Sequence, residues 1–188
     1  MKITTKTTFD KFCDYAVTGF VPVEDFTALT SRPRPSSLCG VELPDNLDDI
    51  TLLQLHKIRN ITGSLTDLLY IIEVLLGIPA AKLPKAPACD VLAVGGWVMS
   101  ELTRISRMFE KIKASYSPEE ITAGVKMLDF GYYGMADSYA RRMGITDPDY
   151  VMTCVPWLKV WNASRMDNEI DRYHRRLQKV YQNKTKKK

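Results

Sequence analysis

The residues of this 188-residue chain with the chemistry to define a function are four cysteines, two histidines, several acidic clusters and a basic C-terminal stretch. Cys13, Cys39, Cys89 and Cys154 are dispersed, without a CxxC pair. A zinc site draws its ligands from closely spaced cysteines and histidines. His56 and His174 do not complete such a set with thiols so scattered. Free cysteine commonly packs as a small hydrophobe where thiols stay reduced, and that is the role expected here. No local arrangement supports a thiol and imidazole as nucleophile and base. Nothing follows the G-x-G-x-x-G phosphate pattern, and no strand precedes the glycine pair Gly95-Gly96. The expectation is a non-enzymatic protein with no catalytic residue, no metal and no cofactor.

The carboxylates have a structural explanation. Asp45, Asp48 and Asp49 form one cluster, and Glu119 with Glu120 form another. Both precede or open apolar periodic runs, where acids cap a helix or meet the positive end of its dipole. Asp167, Glu169 and Asp171 are interleaved with Arg165, Arg172, Arg175 and Arg176, the pattern of a solvated helix face with ion pairs.

The basic end is less readily explained by folding. The chain carries 26 Lys+Arg and 22 Asp+Glu, a net charge of +4. Residues 157–188 hold 10 Lys/Arg and three acids, so the remaining 156 residues are net −3. Arg172, Arg175, Arg176, Lys179, Lys184 and Lys186 are the candidates for contact with phosphate, the nonspecific part of nucleic-acid binding. On the same stretch Met166, Ile170, Tyr173, Leu177 and Val180 are separated by four, three, four and three residues. That is coiled-coil spacing, although over only about two and a half heptads. With Trp157 and Trp161, which have the size of interface anchors, the residues Met166, Ile170, Tyr173 and Leu177 are the candidates for binding a partner. The seam lacks the strongly apolar face of a membrane-seeking helix, and no membrane association is expected.

These residues need elements to hold them, and almost every segment asks for helix. Phe9, Phe12, Tyr15 and Ala16 have helical spacing over 9–17, with Gly19 as a stop. Ser31-Arg-Pro-Arg-Pro-Ser-Ser37 reads as a loop, because two prolines remove donors and bias their neighbours to extended backbone. Ile50, Leu53, Ile58 and Ile61 form an apolar side, and Gly63-Ser64 punctuates. Ser64 caps a helix carrying Leu65, Leu68, Leu69, Ile72, Leu75 and Leu76, which Gly77 and Pro79 end. A proline-punctuated connector leads to a longer helix from Val91 to Ile112, where Gly95-Gly96 allows a bend or a close approach. Ser117-Pro-Glu-Glu120 is a capping box with proline at the first helical position. Helix is expected to run through Ile121, Val125 and Leu128, to be interrupted at Gly131 and Gly134, and to resume over 135–143. Asp147-Pro148 starts another helix, Pro156 breaks it, and the last helix begins near Trp157. No run shows period-two alternation between turns. The expected fold is all-α, an irregular domain of about six to eight helices with an extended basic C-terminal helix. Residues 1–43 form an irregular N-terminal segment, 44–182 the helical domain with a sub-boundary near 114–117, and 183–188 a basic tail.

Two stretches carry a family resemblance. Pro44-Asp-Asn-Leu-Asp-Asp-Ile-Thr-Leu-Leu-Gln-Leu55 is followed by Asp67-Leu-Leu-Tyr-Ile-Ile-Glu-Val-Leu-Leu-Gly-Ile-Pro-Ala-Ala-Lys-Leu-Pro84. Together with the helix over 91–112, this resembles the small helical proteins of tailed bacteriophages, especially tail assembly chaperones. The resemblance covers about a third of the chain, and no functional residue carries over from it. It implies a protein that binds a client during tail assembly in the cytoplasm of the host cell, or a virion component. The implied partner is a helical protein such as the tape-measure protein, with the last helix as an oligomer or client seam. The alternative is a nucleic-acid-associated virion or packaging protein that uses the basic end. The N-terminus lacks the apolar core of a secretory signal, and no apolar stretch is long enough to span a membrane.

Overall fold

The computed structural model describes residues 3–18, 33–59, 64–112, 116–128 and 130–185. Gly19, Ser31, Arg32, Ile61, Gly63 and Lys186–Lys188, on which some of the sequence expectations fall, lie outside these residues. The fold is all-α, with eight α-helices and one two-stranded ladder among the described residues. In chain order the elements are α1 (Phe9–Val17), β1 (Ser37–Leu38), β2 (Val41–Glu42), α2 (Leu52–Arg59) and α3 (Leu65–Leu76). A 3₁₀ turn (Ala80–Lys85) then leads to α4 (Ala88–Glu110), α5 (Pro118–Thr122) and a second 3₁₀ turn (Val125–Met127). The chain ends in α6 (Gly131–Met143), α7 (Pro148–Cys154) and α8 (Trp157–Thr185). None of the described helices is long and apolar enough to cross a membrane.

The chain divides into two compact units. The first holds Met1–Leu47 and Gln54–Ile105, and the second holds Asp48–Leu53 and Ser106–Lys188.

In the first unit, local signals set the helix ends. Ser64 Oγ accepts from the Asp67 N–H at 3.1 Å, and the Asp67 carboxylate accepts from the Ser64 N–H at 3.0 Å, completing a capping box. The Phe9 N–H donates to the Ala86 carbonyl at 2.9 Å and the Ala88 N–H to the Thr7 carbonyl at 2.8 Å, which fixes the start of α1 beside the start of α4. Phe9, Phe12, Ile72, Leu83, Val91 and Val98 are among the buried side chains that fill this unit. Gly95 serves close approach: a Cβ there would stand 2.8 Å from Leu68 Cδ1 on α3.

Two features of the first unit depart from expectation. The hairpin β1–β2 was not legible as period-two alternation, because only Ser37 with Glu42 and Leu38 with Val41 pair. Its two-residue turn places both Cys39 (φ 49°) and Gly40 (φ 83°) in left-handed backbone, as a type I′ turn requires. The second departure is Asp45, which pairs with Arg34 at 3.2 Å instead of opening a helix. Arg34 also donates to the Leu43 carbonyl at 3.4 Å, and its guanidinium lies 5.0 Å from the centre of the Trp97 ring. The proline-arginine loop is therefore anchored at Arg34. In α2 no acid lies in the first turn.

In the second unit, the Ser117 box forms as expected, with the Glu120 N–H donating to Ser117 Oγ at 3.2 Å and the Ser117 N–H to the Glu120 carboxylate at 2.7 Å. Asp147 accepts from the Asp149 N–H at 2.9 Å, with Pro148 in the first turn of α7. The helix after Ser117 is shorter than expected. It stops at Thr122 because Gly124 takes a left-handed conformation (φ 84°), and residues 125–127 form only a 3₁₀ turn. Gly131 and Gly134 do not interrupt a helix. Gly131 opens α6 and Gly134 lies inside it, where a Cβ would meet Phe130 Cβ at 2.6 Å. The last helix continues to Thr185, so Asn183–Thr185 extend α8 rather than forming a separate tail.

Candidate partner-binding helix

The N-terminal part of α8 is held firmly. The Trp157 N–H donates to the Ile50 carbonyl at 2.9 Å, beside a bridge between Thr51 and Pro156. The Trp157 ring stacks on Phe109 with centroids 5.7 Å apart, and Phe109 and Tyr132 stand edge to face with centroids 5.9 Å apart. Val160, Trp161 and Ala163 are buried along the same part of the helix. This corrects two of the partner-binding expectations: Trp157, at 0% exposure, and Trp161, nearly as buried, are core residues of the second unit. Their apolar area is already spent on folding, and little is left to offer a partner. Among the described residues the Trp161 indole N–H finds no acceptor, and Arg165 lies 5.8 Å from the centre of its ring.

Arg142 of α6 marks where the buried part ends. Its guanidinium donates to the Ala163 carbonyl at 3.2 Å and pairs with the Asp167 carboxylate. Beyond that clamp the seam turns outward. Met166, Ile170, Tyr173 and Val180 are 51%, 49%, 53% and 49% exposed, and Leu177 is half-buried. Single exposed hydrophobes are ordinary, but a row of them at three- and four-residue steps makes a continuous stripe on one helix face.

A different face of α8 meets α5. Arg175 donates to both oxygens of Glu120, at 2.7 and 3.1 Å, in the two-pronged geometry that arginine makes with carboxylate. The Arg175 guanidinium, and after it the Ser117 N–H, hold the Glu120 carboxyl below the usual carboxylate range. Glu120 in turn raises Arg175 above its ordinary value. An open cleft of about 1010 Å³ lies beside this pair, lined by Tyr116, Pro118, Glu119, Asp171, Lys179 and Gln182 among others. Because it mixes acids and bases, it is not a uniformly cationic groove.

The six phosphate candidates are thus not equivalent. Arg175 is taken by Glu120, and Arg172 pairs with Glu169 at 2.9 Å. Arg176, Lys179 and Lys184 are exposed and form no ion pair among the described residues, while Lys186 lies outside them. Among the described residues no three His, Cys, Asp or Glu side chains gather as metal ligands.

Sequence reading missed two things here. Glu120 was legible as a cap but not as the partner of Arg175, 55 positions away. The segment around the second 3₁₀ turn exposes Met127 at 87% and Phe130 at 70%, together with Leu128, a second apolar surface of this unit. The broken helix after Gly124 leaves those side chains without a common buried face. No protein family, no curated protein and no solved structure matches this chain.

Proposed function

We propose that this chain is a non-enzymatic morphogenesis protein of a tailed bacteriophage, similar to tail assembly chaperones, which binds a helical client in the host cytoplasm. The observation that carries the reading is the exposed stripe of Met166, Ile170 and Tyr173 on a helix anchored through Trp157. An amphipathic helix recognises another by laying apolar residues at three- and four-residue spacing into its groove. The resemblance to tail assembly chaperones makes an aggregation-prone, helical tape-measure protein the client. The nucleic-acid reading draws less support, because Arg172 and Arg175 are occupied by carboxylates of the same chain.

Co-expression with a long helical tape-measure protein tests the reading. The client should stay soluble and co-purify with the parent chain, and Ile170→Asp should abolish both effects. Co-purification unchanged by Ile170→Asp would refute the assigned surface, and failure of the parent chain to retain the client would refute the function.

A further inference from the structure

The stripe on α8 has charged flanks, and their order selects a partner. In heptad positions, Met166, Tyr173 and Val180 are d, while Ala163, Ile170 and Leu177 are a. Glu169 and Arg176 then both occupy g, and Asp167 and His174 both occupy e. Two copies of this helix laid antiparallel about a two-fold axis between Asp171 and Arg172 bring d against a throughout. Met166 meets Leu177 of the second copy, and Ile170 meets its Tyr173, each contact occurring twice.

In that same register Glu169 comes opposite Arg176 of the second copy, again twice, and Asp167 comes opposite His174. Asn162 comes opposite Asn183 at the outer edge. The parallel arrangement loses the Glu169–Arg176 match: it sets Tyr173 against Tyr173, places Glu169 beside His174, and leaves Arg176 beside Tyr181. Glu169 already accepts from Arg172 at 2.9 Å, but a carboxylate has two oxygens and can serve both cations. Arg176 is exposed and forms no ion pair among the described residues. The pairing also has natural ends. Ala163 is 9% exposed, so Val180 of the second copy reaches only its margin. One layer further out, Lys159 would face Lys184.

We infer that the exposed face of α8 is occupied, before any client arrives, by the α8 face of a second copy of this chain in antiparallel register. The inference rests on the reading of this face as the binding surface and adds how it is kept covered. A client helix then gains access by displacing the second copy, so self-association and client binding exclude one another.

Sedimentation equilibrium of the full chain tests this with a charge swap. The parent chain should sediment at twice the chain mass of 21.4 kDa at micromolar concentration. Glu169→Arg alone, or Arg176→Glu alone, turns two attractions into two repulsions and should weaken dimerisation about tenfold or more. An equimolar mixture of the two single variants should recover the dimer, since each chain then meets its opposite, and so should the double variant Glu169→Arg/Arg176→Glu. Recovery by mixing excludes damage to folding as the cause of dissociation. A monomeric parent chain, a dimer indifferent to both single variants, or a mixture that stays monomeric would overturn the inference. If the parent is monomeric while Ile170→Asp still abolishes client co-purification, the homodimer falls and the client reading stands. If the charge swap behaves as expected but Ile170→Asp leaves the client bound, the reverse holds.

Discussion

Trp157 and Tyr173 have the same standing in the sequence, as large aromatics on one helix, and opposite roles in the structure. Replacing each with alanine separates those roles. Trp157 has 0% exposure, stacks on Phe109 and sits where α8 is tied to Ile50. An aromatic of this kind buries about 150–250 Å², which at about 25 cal/mol per Å² corresponds to about 4–6 kcal/mol. That is an upper figure, because the unfolded chain hides part of the same area. Large-to-small substitutions of buried aromatics cost about 3–5 kcal/mol, and Trp157→Ala is expected in that range. Against a total stability of about 5–15 kcal/mol, such a loss endangers the second unit. Tyr173, 53% exposed, should change stability by no more than about 0.5 kcal/mol when truncated. The assay is urea denaturation followed by far-ultraviolet circular dichroism, at low chain concentration so that self-association adds nothing. Two transitions rather than one would show that the units unfold separately, and the loss should then fall on one of them. A Trp157→Ala cost below about 1 kcal/mol, or equal costs at the two positions, would refute the division of α8 into a core part and a free part.

Two further outcomes follow from local geometry. The Arg104 guanidinium, and with it the Leu47 N–H, hold the Glu101 carboxyl below the usual carboxylate range against the opposing effect of burial. Its stabilisation is complete above the unfolded value of about 4.3 and is lost as pH falls through the lower folded value. Glu101→Gln should therefore flatten the acid side of the stability curve, and an acid limb as steep as the parent's would count against the pairing. In the β1–β2 turn, Cys39 holds a left-handed φ of 49° that costs most residues about 1–2 kcal/mol and asparagine less. Cys39→Asn should raise the thermal midpoint, with a gain of a few tenths to about 1 kcal/mol. A lower midpoint would show that the thiol's packing matters more than the turn.

Helix ends were legible where one side chain and its near neighbours decide them. Ser64 with Asp67, Ser117 with Glu120, and Asp147 before Pro148 each satisfy backbone donors within three residues, so their signal is local. Glycine was harder to interpret. Gly77 and Gly144 close helices in left-handed backbone, whereas Gly134 lies within α6 and Gly124 breaks the helix predicted to run to Leu128. The difference lies in which backbone conformation each adopts, and the residue type leaves that open. The seam on α8 was visible as spacing, yet spacing alone does not say which members are covered. Trp161 is buried and Met166 exposed because α6 ends its coverage near Arg142. The pairings Arg34 with Asp45 and Arg175 with Glu120 join separate segments, and charge composition alone does not reveal them.

The bond from the Trp157 N–H to the Ile50 carbonyl has a consequence for the order of events during synthesis. Its two ends are 107 positions apart, and the short segment Asp48–Leu53 belongs to the later unit although it is made early. At about 5–20 residues per second, a ribosome needs about 5–20 s to supply the tryptophan after the isoleucine. During that interval Ile50 and its neighbours are on the nascent chain without their final companions. No single cut in the chain separates the two units either, because residues 106–188 alone would lack the carbonyl that receives Trp157.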